Sequence, residues 1–319
     1  MKSRRLFAAA TLLSLACAPL VRSAPALDWD KVQIKAIPVA GGIHMLTGSG
    51  GNIGVLAGEN GTLLVDSQFP QLHDKIVAAI SPLGHGPVRF VANTNWHYDH
   101  AMGNELFRKG GAVIVGHENC PKRMASEQVH DVIGSKSGPY PPAAWPEITF
   151  SESLTLHFNG EDIQVLHIPN AHSDADAIFI FKKANVIHTG DVFFSAGYPY
   201  IDITNGGSID GMIAASDRVL GLAKADTMFI PGHGPAANRA RLERYRAMLA
   251  TVRDRVAKLA AEGKTLEQTI AAKPTADLDG DWQKAMPPES FVALVYKSLR
   301  AGRSPVSAAT VCGAGSFGL

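Results

Sequence analysis

Cysteine is scarce in this 319-residue chain: there are three, and no two stand as a Cys-x-x-Cys pair. That excludes a zinc ribbon and a thioredoxin-like redox centre, and it leaves no disulfide scaffold. Charge of one sign is missing as well, with 30 basic residues against 29 acidic. No electrostatic footprint for nucleic acid or an anionic membrane follows, so the expected partner is a small-molecule substrate. The uncharged apolar run from Leu6 to Leu20 stops short of the ~20 residues that a spanning helix needs. It follows Lys2, Arg4 and Arg5 and precedes Ala24-Pro25-Ala26, the order of a secretory signal peptide cut after Ala26, or after Ser23. The expected location is periplasmic or secreted, with no membrane association once the signal is removed. Cys17 is not expected to carry a lipid, because Ser14-Leu15-Ala16 lacks the leucine that should start a lipobox. Cys120 and Cys312 would then remain; an oxidising compartment permits a bridge between them, but a loose tail argues against one.

Apolar residues make up 46% of the sequence, enough for a sizeable core. Short β-type runs separated by glycine open the chain: IKAIPVA, GIHMLTG, NIGVLAG and GTLLVDS. They predict an antiparallel meander. Residues 71–80 and 102–109 have helical spacing, whereas RFVANT and GAVIVGH read as strands. The second half repeats the style with LTLHF, DIQVLHI, AIFIF, NVIHTG and TMFIPGHG. Over residues 208–222, Ile209, Met212, Ile213, Ser216, Val219 and Leu220 share one helical face, and Ser208 is the N-cap. Leu242, Tyr245, Leu249, Val252, Val256 and Leu259 form a second helical stripe. Thr265 and Gln268 read as a capping box. The organisation expected is a signal peptide over 1–26, a catalytic domain over 27–237, a helical extension over 238–300 packed on it, and a flexible tail over 301–319.

Chemistry-bearing residues gather where strands end. RFVANTNWHYDH, VLHIPNAHSDAD, VIHTGD and MFIPGHG each place a ligand type in a turn after an apolar run: His97, Asp99 and His100, then His172, Asp191 and His233. Neutral imidazole and carboxylate are what zinc takes at a hydrolytic site. Ligands on the ends of rigid strands are held in place before a metal arrives.

With these motifs in this order, the chain resembles the metallo-β-lactamase superfamily from about residue 40 to 235. The resemblance implies an α/β fold, a four-layer αββα sandwich, with a zinc site, usually dinuclear, at one edge of the paired sheets. By motif, the first metal would take Asn95, His97 and His172, and the second Asp99, His100 and His233. Asp191 matches the aspartate that bridges the metals in hydrolases such as glyoxalase II; lactamases with a cysteine ligand carry that cysteine here instead. Asn95 stands where the family's His-x-His-x-Asp-His has its first histidine. The same change marks a lactamase subclass that works with one zinc and favours carbapenems, although that subclass has the cysteine missing here. An amide oxygen is neutral and a weaker zinc ligand than imidazole, so one or two zinc ions are expected, with the first held weakly.

Bound zinc lowers the pKa of its water from ~15.7 to ~7, and the resulting hydroxide attacks a carbonyl carbon. Asp99 is the expected catalytic residue that orients or deprotonates that water. The resemblance implies a cyclic amide hydrolase of the β-lactamase type, hence a link to antibiotic resistance. The alternatives are a thioester, lactone or ester hydrolase of the same superfamily, and a non-catalytic metal-binding protein. Candidates to hold the imidazoles are Asp174, Asp176 and Thr189, with Thr94 and His117. The long loop 131–147, with Tyr140 and Trp145, and segment 193–207, with Phe193, Phe194 and Tyr198, are expected to line the substrate pocket. Segment 193–207 contains no basic residue, so it offers no partner for a substrate carboxylate.

Overall fold

A computed structural model describes residues 27–84, 86–130 and 134–301. The stretch 1–26 with its expected signal peptide and Cys17, and the tail 302–319 with Cys312, lie outside the described residues. Residues up to Lys31 form a unit of their own, whose described part holds one 3₁₀ turn, Trp29–Lys31. From Val32 onward the chain builds two sheets and the helices that cover them.

Glycine turns and alternating apolar residues give β1 (Lys35–Ala40), β2 (Ile43–Thr47), β3 (Ile53–Gly58) and β4 (Gly61–Val65), an antiparallel meander as expected. Then follow β5 (Val88–Ala92), β6 (Val113–His117), a small hairpin of β7 (Gln128–His130) and β8 (Ser135–Ser137), and β9 (Ile148–Phe150). The first sheet runs β1-β2-β3-β4-β5-β6-β9 and turns parallel from β4 onward. The second contains β10 (Ser153–Phe158), β11 (Glu161–His167), β12 (Ala177–Phe181), β13 (Val186–Phe194), β14 (Met228–His233) and β15 (Ala237–Asn238) in that order. Only its β13–β14 pair is parallel.

Alternate residues of the two sheets meet in a shared core. Leu63 and Val65 of β4 lie in one cluster with Ile163 and Val165 of β11 and Phe179 and Phe181 of β12. Burying each such side chain stabilises the fold by roughly 1.5–3 kcal/mol. Helices α1 (His73–Ile80), α2 (Tyr98–Ala101), α3 (Asn104–Lys109) and α4 (Asn119–Met124) accompany the first sheet. The outer face of the second is covered by α5 (Ile209–Leu222) and α6 (Arg239–Ala261), followed by α7 (Leu266–Ala271), α8 (Asp279–Trp282) and α9 (Pro288–Ala301). Ser208 caps α5 and Thr265 with Gln268 closes the capping box of α7, both as expected. The helical extension is built into the core: Tyr245, Leu249 and Phe291 share a cluster with Phe193 and Phe229. Arg241 of α6 also reaches the end of β13. Its Nε donates to the Ser195 carbonyl at 2.7 Å, and its guanidinium lies 3.9 Å over the Trp282 ring. No described helix is long and apolar enough to cross a membrane.

Candidate metal centre

Strand exits at one edge of the sandwich bring the ligand types together. The segment after β5 carries Asn95, His97, Asp99 and His100 into α2; the β11–β12 connection supplies His172; β13 supplies Asp191 and β14 ends on His233. His97, His172 and Asp191 form one group able to hold a cation, and Asp99, His100 and His233 form another. Asp191 lies between them. Its Oδ2 is 3.2 Å from His100 Nε2 and 3.2 Å from His172 Nε2, and its Oδ1 is 3.4 Å from His233 Nε2. His233 Nε2 is also 3.3 Å from Asp99 Oδ2.

Two close approaches of glycine make this convergence possible. A β-carbon on Gly51 would lie 2.2 Å from the His100 ring. One on Gly190, whose φ is +51°, would lie 2.5 Å from Thr94. Only glycine tolerates both demands at position 190.

The protons on these imidazoles can be placed from their outer partners. His172 Nδ1 donates to the Tyr200 carbonyl at 2.8 Å, so Nε2 carries the lone pair of a neutral ring. Burial pushes His172 down to about 4, which keeps it neutral. His97 Nε2 donates to Asp202 at 2.9 Å, which leaves Nδ1 facing His172 Nε2 at 2.7 Å. Two lone pairs at that separation repel unless a cation, a proton or a metal, lies between them. His100 differs: Nδ1 donates to Asp66 Oδ2 at 2.7 Å, and the buried Nε2 faces Asp191 and Asp99. Burial pushes the imidazole down, but these carboxylates outweigh it and raise the ring well above its ordinary range, so a cation, proton or metal, is favoured at Nε2. Asp191 Oδ1 is buried without a hydrogen-bond partner. Such orphaned atoms, all nitrogen or carboxylate donors, fit a zinc-type ion. Burial pushes Asp99 up, but His100 and His233 outweigh it and hold its carboxyl down at about 2. Asp191 lies well below the usual carboxylate range for the same reason, through His100 and His172.

The groups that orient the imidazoles differ from those expected. Asp66, at the end of β4, holds His100 and is itself fixed by Thr94, whose backbone N–H and hydroxyl both donate to it at 2.7 Å. Asp202 holds His97, with Asn205 donating to it at 2.9 Å and His130 Nδ1 standing 3.5 Å away. Thr94 thus acts through Asp66, while the other candidates lie elsewhere. Asp174 pairs with Arg123, and Thr189 donates to the carbonyls of Gly190 and Ile230. His117 stacks on His167 at 3.8 Å and bonds the Ser151 carbonyl. Asp176 supports the turn before β12 by accepting the backbone N–H groups of His172 and Ser173, not an imidazole.

Asn95 is buried beside the first group. Its Oδ1 accepts the His97 backbone N–H at 2.8 Å, and its Nδ2 faces Asp191 Oδ2 at 3.4 Å. The amide oxygen is therefore committed to the turn, and the NH₂ group faces the carboxylate. Asn95→His is expected to raise the zinc retained per chain after dialysis and to change the turnover rate. Elemental analysis of both proteins checks this, and equal zinc contents would reject a weak first position.

The expected substrate wall divides. Phe194 stacks on His233, ring centres 4.9 Å apart, so it borders the site. Its neighbour Phe193 points the other way, into the core against Phe229 and Tyr245. Tyr198 is also a core residue, stacked on Phe291 with its hydroxyl on Asp279. Tyr140 lines a cavity beside α2, and Trp145 supports it from behind by donating to the Tyr140 carbonyl at 3.2 Å. Cys120 is a buried free thiol in the cluster under α2, formed with Trp96, Ala101 and Tyr140.

A model of the metallo-beta-lactamase superfamily matches residues 46–236, a span that contains every residue of both groups. A hydroxyacylglutathione hydrolase from Pelagibacter ubique (strain HTCC1062) is 28% identical over 111 residues, which are 34% of this chain and 38% of that enzyme. Two solved structures share the fold at low identity. A stereoselective inverting sec-alkylsulfatase from Pseudomonas sp. matches 83% of this chain and 50% of its own, with a TM-score of 0.67 and 14% identity. A metallo-beta-lactamase from Pontibacter korlensis matches 68% of this chain and 99% of its own, with a TM-score of 0.57 and 16% identity. The chain thus spans half or less of the first two proteins.

Proposed function

Because the chain belongs to the metallo-β-lactamase superfamily, we propose that it is a zinc-dependent hydrolase of acyl bonds, acting on a small-molecule thioester, lactone or ester. One observation carries this reading: Asp191 stands within 3.4 Å of His100, His172 and His233, so a single carboxylate serves both ligand groups. His97, His172 and Asp191 would hold one ion, and Asp99, His100, His233 and Asp191 a second. Zinc there would act as a Lewis acid and make water available as hydroxide at neutral pH. Asp99, ionised and beside His233, accepts a hydrogen bond from the attacking water and orients it. Phe194 and the buried surroundings of His97 and His172 keep bulk water from this side of the centre.

The choice of bond follows from Asp191, which stands where the cysteine-bearing lactamases of the family carry cysteine and matches the aspartate of the family's glyoxalase II-type hydrolases. The local likeness to a hydroxyacylglutathione hydrolase points the same way, to an acyl substrate. Asn95 favours a second reading, cleavage of a cyclic amide of the β-lactam type, through its match to the carbapenem-preferring motif. The first 26 residues support a periplasmic or secreted site of action.

The zinc-loaded protein is expected to turn over an acyl thioester or aryl ester at least about tenfold faster, in kcat/KM, than nitrocefin or a carbapenem, a barrier difference of about 1.4 kcal/mol. Chelation should abolish turnover and zinc restore it. Faster β-lactam cleavage would select the second reading, and turnover that survives complete metal removal would reject both.

A further inference from the structure

A cavity of about 530 Å³ opens on the flank of α2, between that helix and the β8 loop. Tyr98 and Met102, which line it, bracket Asp99 and His100, the α2 members of the second ligand group. Across from them stand Ser135, Lys136, Pro139 and Tyr140. The hairpin carrying this wall is tied to the metal centre: His130 of β7 bonds the Ser137 hydroxyl at 2.9 Å through Nε2, and its Nδ1 lies 3.5 Å from the Asp202 that holds His97. The cavity therefore shares α2 and the β7–β8 hairpin with the metal centre.

Its chemistry is one-sided. The Ser135 hydroxyl is buried without a hydrogen-bond partner, and the Tyr140 hydroxyl is buried beside Ser137 with its hydrogen-bonding capacity unfilled. The Tyr140 side chain belongs to a residue only 5% exposed, and burial raises its phenol, which keeps its proton as a donor. Nature rarely leaves such groups unpaired without a partner that arrives from outside. Lys136 adds a cation; its present contact is a solvent-exposed pair with Glu127 at 2.7 Å, a kind that is weak and easily exchanged. Among the described residues no carboxylate lines the cavity, and Tyr98, Met102 and Pro139 give it apolar walls. Hydroxyl donors and an ammonium on the wall of a cavity with apolar sides suit a carboxylate on a hydrocarbon stem.

We propose that this cavity is the subsite for the non-reacting arm of the substrate, and that the arm it takes is an apolar chain ending in a carboxylate. The inference rests on the hydrolase reading and deepens it. It also supplies the cationic partner that segment 193–207 lacks.

The test compares two aryl esters on the zinc-loaded full chain: 4-nitrophenyl hexanoate and the mono-4-nitrophenyl ester of hexanedioic acid. The acid-terminated ester is expected to show a KM about tenfold lower, as a hydrogen-bonded charge implies. Lys136→Met and Tyr140→Phe should each bring the KM ratio close to one. The first alters an exposed side chain and the second removes one hydroxyl, so both are expected to fold. Equal KM values in the wild type, or a ratio that survives both substitutions, would overturn the proposal. If neither ester is cleaved, the hydrolase reading fails separately. Calorimetry with 6-phenylhexanoate and 6-phenylhexanol then decides the subsite: tighter binding of the acid, lost in Lys136→Met, supports it, and equal binding of the two overturns it.

Discussion

Asp191→Ala is expected to abolish measurable hydrolysis and to release metal from both ligand groups. This carboxylate approaches three imidazoles at 3.2–3.4 Å and is almost fully buried. Its loss leaves both ligand groups short of a donor, and kcat/KM is expected to fall by at least about 10²-fold, a barrier rise of about 2.7 kcal/mol. Asp191→Asn should fall almost as far, since an amide keeps the volume but neither the charge nor the second acceptor oxygen. Zinc content by elemental analysis and steady-state kinetics are the paired measurements, with circular dichroism to confirm the fold. A variant that keeps its metal and more than a tenth of the wild-type kcat/KM would remove Asp191 from the centre of the site.

The rule that picked out Asp191 shows how far the sequence reaches, although Asp191 itself lies within β13, at the irregularity after Gly190, and not in a turn past the strand. A ligand type in a turn after an apolar run marks a strand exit, and strand exits at one sheet edge converge. His97, His100, His172 and His233 were legible on that basis, because β strands fix direction over a few residues. Asp66 satisfies the rule too, in TLLVDS, yet it reads as an ordinary turn aspartate until β4 is known to lie beside β5. Its partner His100 is 34 positions away, a distance that local patterning does not span. Asp202 and His130 were hidden for the same reason: Asp202 lies 105 positions from His97, and His130 comes near the pair only where the β7–β8 hairpin folds back. Facing was the other blind spot. Phe193 and Phe194 are adjacent and equally apolar, but successive residues of a strand point to opposite sides. One therefore enters the core with Tyr245 and the other stacks on His233. The layers were clearer than the site, since periodicity marks each strand and helix locally, whereas a pocket is assembled from residues distant in sequence.

Asp66 offers the sharpest test of what lies behind the ligands. Its carboxylate accepts a hydrogen bond from His100 Nδ1 and two from Thr94, and the side chain is wholly buried. Its backbone is left-handed, with φ of +71°. Asparagine tolerates that conformation well, whereas alanine adds strain, so Asp66→Asn isolates the charge from the backbone. The amide can still accept one hydrogen bond, but its NH₂ must face either Thr94 or the imidazole, each of which is a donor. His100 then loses the partner that fixes its tautomer and strengthens the basicity of Nε2. Loss of such a partner typically weakens metal binding by about 10–100-fold. Zinc affinity, measured by competition against a chromophoric chelator, should fall within that range while the far-ultraviolet spectrum stays unchanged. If Asp66→Asn binds zinc as tightly as the wild type, His100 is not held through this carboxylate, and the proton placement that leaves its Nε2 free for a cation is wrong.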